Sequence, residues 1–487
     1  MKILYQIFYA CLLLTAPLFS TGQGTDQTDT ITLAANTDSA KKLCVKNIKV
    51  TGNKRSKSYI ILREMQFRNG DSLLYGQLAK EMARARRQVY NTTLFNEVIV
   101  TYQGLSDNDI SVLITVKEKW YIYPFPQFEL VDRNFNVWYD TYNHSFDRVN
   151  YGIKFTHDNL SGRRDQLRIF LINGYSRDIF FIYSNPYSNS KLNRGFAVSA
   201  GYSQRREIAY KTSYDNTVLF YPIESIRKQT NDFVRNSWFI TASYLMRKGF
   251  FKRHHFGAGY SFFKVDDSVI NKNHNPYYFK DSVNSKGYLD LTYSFQYANV
   301  DNVLYALKGT SAYISVVKRG WAFTGGLNMF SVEAGLNKYF DLGEKWYSNL
   351  QLSAKIKLPF DQAYFNQRAL GYGETYLRGL EYNVVDGVAY VLAKSTLKRK
   401  LFSFNIPFPF FPKIITKIPF TFFAKAYSDF GYVYNQKKFD TYLNNRLLYT
   451  GGLGIDVLTL YDINLRFEYS FNQLNNKGLF FHTQNGF

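Results

Sequence analysis

The sequence predicts a mainly β protein, in which a transmembrane antiparallel β-barrel of about 16 strands follows one small α+β domain. Three observations carry that expectation. Beyond the first residues no stretch approaches the roughly 20 apolar residues of a membrane-spanning helix, so a membrane-crossing chain must use a closed sheet, which pairs its own backbone groups. Aromatic residues are 18% of the 487, with 41 Tyr and 43 Phe, while charged residues are only 20%. Barrels gather tyrosines in belts at both membrane interfaces. From residue 121 onward, apolar and polar residues alternate with the period of two expected of strands with one greasy and one wet face. A mean hydropathy of −0.29 is compatible, because outward and inward positions average out.

Residues 1–22 are expected to be an export signal. Lys2 supplies the positive start, Ile7 to Phe19 a short apolar stretch, and Ser20-Thr21-Gly22 small residues for cleavage before Gln23. Cys11 lies inside the apolar stretch after Tyr9-Ala10, which is not the setting of a lipid-attachment cysteine. Cys44 is then the one mature cysteine, too few for a disulfide or a thiolate metal cage, and is expected to be a small residue at a strand start. Residues 23–42, rich in Thr, Asp, Gly and Gln, cannot bury enough surface to fold and should be a flexible linker.

Residues 43–120 change period in a definite order. Val45, Ile48 and Val50 suggest a strand that ends at Gly52-Asn53. A short helix is expected from Ile60 to Gln66, closed by the turn Gly70-Asp71. Leu74, Leu78, Met82, Ala85 and Val89 recur at intervals of three or four with Lys80, Arg84 and Arg87 between them, the pattern of an amphipathic helix. Val98, Val100 and Tyr102, then Ile110, Val112, Ile114 and Val116, alternate as two strands around the turn Ser106-Asp107-Asn108-Asp109.

Residues 121–487 are expected to form the barrel. Tyr151, Ile153 and Phe155 alternate with Gly152, Lys154 and Thr156; Ile463, Leu465, Phe467, Tyr469 and Phe471 alternate with Asn464, Arg466, Glu468 and Ser470. Tyr187 to Asn193, Lys264 to Asn275 and Asn435 to Asn445 are polar and should be loops. Roughly 365 residues, at about 20 to 24 per strand and connection, give about 16 strands. The net charge of +22 could suggest nucleic acid, but the export signal argues against that partner. Much of the excess sits at alternating strand positions or in turns such as Lys398-Arg399-Lys400, so a basic lumen, contacts with anionic lipid, or a generally basic surface fit it.

Two segments hold groups that could pair across a lumen, or could be a solvated loop arginine and an unrelated lumen charge. Tyr376-Leu377-Arg378-Gly379-Leu380 places an arginine among glycines (Gly371, Gly373, Gly379) that let a loop turn tightly. Tyr427-Ser428-Asp429-Phe430-Gly431 places a carboxylate on a strand. A guanidinium in a confined lumen can make two parallel hydrogen bonds to a carboxylate and so fix both position and orientation.

Residues 43–120 resemble a POTRA domain, the periplasmic module of the superfamily that includes BamA, TamA and the two-partner-secretion transporters. The matching features are the Gly52-Asn53 turn, Arg63-Glu64, Gly70-Asp71, Leu94-Phe95 at the expected end of the second helix, and Glu118 closing the last strand. In the barrel, the segment around Arg378 and Gly379 resembles the family's Val-Arg-Gly-aromatic loop motif, and Tyr427, Asp429 and Gly431 resemble its Phe-x-Asp-x-Gly wall motif. The resemblance implies a loop folded back into the lumen with Arg378 against Asp429, about five strands after Val384, and Phe487 as a C-terminal assembly signal. Leu377, Leu380 and Tyr427 depart from the usual residues, and there is one POTRA candidate where insertases of this superfamily usually have several.

The same resemblance implies an outer-membrane protein, with POTRA in the periplasm, that assists insertion of outer-membrane proteins or moves a polypeptide across the membrane. The expected mechanism is strand capture at the POTRA edge and at a seam between the first barrel strand, near Phe125 to Val131, and the last, near Leu479 to Phe487. The expected partners are outer-membrane lipid and lipopolysaccharide, unfolded outer-membrane or secreted clients, and periplasmic or barrel-assembly proteins, with no nucleic acid. The alternative is a passive porin-like or structural barrel whose POTRA docks to assembly partners. No enzyme, cofactor or metal is expected: His144, His157, His254, His255, His274 and His482 show no ligand spacing, and no nucleophile elbow or His-Glu-x-x-His occurs. Gly371-Tyr372-Gly373 and Gly451-Gly452-Leu453-Gly454 are expected to be bulge or turn glycines.

Overall fold

The computed structural model describes residues 39–130, 146–222, 232–321, 327–373, 375–407, 417–436, 440–459 and 463–484. The expected export signal, most of the expected linker, and Phe487 lie outside the described residues. No described helix is long and apolar enough to cross a membrane.

The N-terminal domain runs β1 (Lys42–Thr51), α1 (Ser58–Leu62), β2 (Ser72–Leu74), α2 (Tyr75–Tyr90), β3 (Phe95–Gly104) and β4 (Asp109–Glu118). Its sheet has the order β2-β1-β4-β3, with β1 parallel to β4. The helical spacing reads through: α2 buries Leu78, Met82, Ala85 and Val89 against Val45, Ile60, Phe95, Val112 and Ile114.

Three local expectations are corrected. Helix α1 ends at Leu62 rather than Gln66, because the amides of Glu64 and Met65 bond back three residues to Ile61 and Leu62 and tighten the chain out of α geometry. Strand β2 was not expected, since three residues are too few to show a period; it pairs antiparallel with the start of β1. Helix α2 stops at Tyr90, with Asn91 as its cap. Thr93 then takes a left-handed backbone at φ 66°, so Leu94 and Phe95 lie beyond the helix and Phe95 opens β3.

The barrel begins with β5 (Ile122–Leu130), β6 (Val149–Asp158), β7 (Gln166–Gly174), β8 (Ser176–Asn185) and β9 (Arg194–Arg205). A small hairpin, β10 (Ile208–Thr212) and β11 (Val218–Tyr221), interrupts it. The wall resumes with β12 (Arg235–Lys248), β13 (Lys252–Val265), β14 (Ser285–Val300), β15 (Gly309–Arg319), β16 (Met329–Gly343) and β17 (Trp346–Leu358). A long loop carries β18 (Arg368–Leu370) and β19 (Val385–Asp386). The wall closes with β20 (Ala389–Pro407), β21 (Lys417–Tyr434), β22 (Leu447–Leu458), β23 (Asn464–Asn472) and β24 (Lys477–Gln484).

These form one 16-stranded antiparallel sheet in sequence order from β5 to β24, matching the expected count. On β23, Phe467, Tyr469 and Phe471 point outward while Glu468 and Ser470 are fully buried inside, the greasy and wet faces that lipid and lumen require. The glycines of β22 need correction. Gly451, Gly452 and Gly454 sit in unbroken register with both neighbours, so they are neither bulge nor turn. A Cβ at Gly452 would stand 2.5 Å from the Tyr427 hydroxyl, and one at Gly454 would stand 2.9 Å from Lys425 Cε. They thin the wall for two lumen side chains.

Candidate functional site

The loop of residues 359–388, between β17 and β20, folds back against the inner wall. Gly379 lets it do so on two counts: its φ is 92°, and any Cβ there would meet Ser470 Cβ at 2.8 Å. Beside it, Arg378 Nε donates to Asp429 Oδ2 at 2.9 Å and Nη2 to Oδ1 at 2.5 Å. The Arg378 amide also donates to Oδ2, at 3.1 Å. The guanidinium spends a further donor on Thr396 Oγ1 at 3.0 Å and lies 4.0 Å above the Tyr427 ring. Arg378 is 8% exposed and Asp429 0%.

Gly431 completes the constellation. A Cβ there would press on Leu377 at 3.1 Å, so its absence lets Leu377 join Leu370, Leu380, Leu392 and Val433 in a buried apolar cluster. The two leucines that depart from the family pattern are thus apolar anchors on either side of the arginine. The structure brings Arg378, Gly379, Tyr427, Asp429 and Gly431 together; Phe487 is outside the described residues.

Other residues hold the same loop and carry no motif. Lys357, at the top of β17, donates Nζ to the carbonyls of Asn366 (2.7 Å), Arg368 (2.6 Å) and Gly387 (3.2 Å). Asp386 accepts from the hydroxyls of Thr212 and Tyr372, and burial pushes its carboxyl above the usual range. Asn216, fully buried in the β10–β11 turn, donates to Val384 O and Thr441 Oγ1, each at 2.8 Å, and accepts from the Leu443 amide. Three loops at the far end of the barrel are therefore interlocked.

From the near end, the turn of residues 301–308 reaches into the lumen. Tyr305 donates to Asp456 Oδ2 at 2.9 Å and accepts from Lys398 Nζ at 3.1 Å. Lys425 bridges Asp456 and Glu468 at 2.5 and 2.6 Å. Between turn and loop lies a polar cavity of about 210 Å³, lined by Tyr305, Arg378, Lys394, Lys398, Lys425 and Arg466 among others. Among the described residues, both the loop and the turn thus lie within a polar part of the lumen.

The family described as "Surface antigen variable number repeat", POTRA, matches residues 44–119. Residues 44–119 are a POTRA domain. No curated protein matches the chain. Among solved structures, the chain is similar to BamA from Haemophilus ducreyi lacking POTRA domains 1–3, at 15% identity and a TM-score of 0.51, over 91% of this chain and 84% of that one. It is also similar to CdiB from Escherichia coli, at 12% identity and a TM-score of 0.50, over 91% and 75%. The likeness is one of fold.

The POTRA domain is seated on the barrel's near-end turns. At the 159–165 turn, Asn159 Nδ2 donates to Ser56 Oγ at 2.9 Å and the Lys57 amide to Gly162 O at 3.0 Å. Tyr121, between POTRA and β5, shares a hydrogen bond with Ser56 Oγ and donates to Leu94 O; burial pushes its hydroxyl well above its ordinary range, which keeps it a donor. At the next turns, Glu64 takes both Nη atoms of Arg247 at 2.6 and 2.7 Å. Arg247 Nη1 also reaches the Tyr187 hydroxyl, and Arg63 donates to Leu192 O. Asn91 binds Val300 O and the Val303 amide, at the root of the turn that carries Tyr305. In the sequence, Arg63-Glu64 stands out only through the POTRA resemblance, and nothing nearby points to Arg247.

Proposed function

We propose that this chain works in the outer membrane, with its POTRA domain in the periplasm, to assist insertion of outer-membrane proteins or to pass a polypeptide across that membrane. The observation that carries this is the seam. Among the described residues no ladder pair joins β5 to β24, although every other neighbouring pair of wall strands is hydrogen-bonded. Strand β5 contains Pro124 and Pro126, two residues apart and so aimed at one edge, while its ladder to β6 runs unbroken from Ile122 to Leu130. Proline lacks the donor that a ladder needs and is confined to strand edges. The missing donors therefore fall on the seam side, which weakens closure and leaves β24 with an edge able to template a client strand.

The POTRA domain supports the same role. Strand β3, ten residues long, forms an outer edge of its sheet, where an extended client could add as a further strand. Lipid and lipopolysaccharide would surround the barrel, and unfolded polypeptides and periplasmic or barrel-assembly proteins would be its partners. The role is one of binding and templating rather than catalysis. A passive pore is less well supported, because loop 359–388 and turn 301–308 both occupy the lumen. Depletion separates the two: changed levels of other outer-membrane proteins, or of one secreted protein, are expected, whereas a change in small-solute permeability alone would favour the pore.

A further inference from the structure

Next to the last strand, the lumen gathers three ligand-type side chains that client templating does not use. Glu381 belongs to the lumen loop, two residues past Gly379; Glu468 faces inward from β23; His482 faces inward from β24. His482 Nε2 lies 3.0 Å from Glu381 Oε1 and 3.7 Å from Glu468 Oε2. One donor atom from each residue lies within 4.8 Å of the others. In a tetrahedral site with bonds of about 2.1 Å, ligand atoms stand about 3.4 Å apart. The two shorter separations bracket that value, so small side-chain adjustments would bring the three onto one ion.

A second observation points to a cation. Glu468 is 0% exposed, and Lys425 Nζ satisfies its Oε1 at 2.6 Å, but its Oε2 is buried with no hydrogen-bond partner. A buried carboxylate oxygen calls for a donor or a positive ion. His482 does not complete it: its Nε2 is within hydrogen-bond reach of Glu381 Oε1, while Glu468 Oε2, at 3.7 Å, is close enough for a charge contact but beyond hydrogen-bond distance. A metal ion between the three would satisfy both carboxylates at once. The ring is already steered, because it stacks on Tyr376 with centroids 5.6 Å apart.

We propose that Glu381, Glu468 and His482 form a site for a divalent transition metal of the zinc class, which ties the last barrel strand to the lumen loop and to β23. One imidazole with two carboxylates suits Zn²⁺ and its first-row neighbours, whereas Mg²⁺ and Ca²⁺ prefer all-oxygen shells. Because β24 borders the open seam, the bound ion would hold the seam strand inward. The site depends on the barrel fold and not on what passes the barrel.

The test is calorimetric titration of ZnCl2 into the full chain in detergent micelles, first stripped with chelator, with MgCl2 titrated in parallel. One zinc per chain is expected, with affinity at least about tenfold lower in His482→Ala and in Glu381→Gln, while Mg²⁺ gives no matching isotherm. His254→Ala, far along the wall on β13, should leave zinc binding unchanged. Glu381→Gln lies in a loop, and both variants are checked for the heat-dependent gel shift of a folded barrel. Absence of zinc binding in the wild type, or an isotherm unchanged in folded His482→Ala and Glu381→Gln, overturns the site.

Discussion

Arg378 matters less for net energy than for what happens when it is removed. A buried ion pair roughly breaks even against an apolar pair of the same shape, yet deleting one partner strands the other charge and costs about 3–5 kcal/mol. Asp429 is fully buried, so Arg378→Ala should release loop 359–388 from the wall while the strand ladders keep the barrel assembled. We expect faster proteolysis within that loop, an unchanged heat-dependent gel shift and reduced function in cells; full activity of the mutant would count against the pair. Arg378→Lys should not rescue, since an ammonium cannot make the two parallel bonds to Asp429. This pair was legible only through the family resemblance, whose two motifs each fall in a short local stretch of the sequence. Lys357, Asp386, Asn216 and the Glu381–Glu468–His482 group were not, because their partners are scattered along the chain and meet only when the sheet closes.

At the scale of elements, one short helix decides where the POTRA domain sits. Helix α1 stops early, and its exit presents Glu64 to Arg247 at the end of β12, with both side chains nearly buried at 1% and 8% exposure. Glu64→Gln keeps the shape but leaves the guanidinium without its counter-charge, at a cost of about 2–5 kcal/mol. The expected outcome is faster amide exchange in α1 and in the turn of residues 186–193, with exchange in β12 to β17 unchanged. Equal exchange in both proteins would mean that Tyr121, Ser56 and Asn91 hold the domain without it. The apolar spacing of α2 and the alternation of β3 and β4 were plain in the sequence, since each spans enough residues to show a period. Strand β2 and the true end of α1 were not: the first is three residues long, and the second is set by backbone bonds rather than by side-chain pattern.

Across the whole molecule, every pair of neighbouring wall strands among the described residues is hydrogen-bonded except β5 and β24; interlocked loops lie at one end of the barrel, and the POTRA domain is seated on the turns of the other. The strand number was legible because chain length and the reach of a spanning strand fix it together. The weakness of the seam was half legible: Pro124 and Pro126 stand in plain view, but their effect depends on which edge of β5 faces β24. The central claim is that this seam receives client strands. Photo-crosslinking residues at Phe128 of β5 and Leu479 of β24, with Leu291 of β14 as an outward-facing control, test it in living cells. Crosslinks to newly made outer-membrane or secreted polypeptides at the two seam positions and not at Leu291 are expected; no client crosslink at the seam, or equal crosslinking at all three, would contradict it.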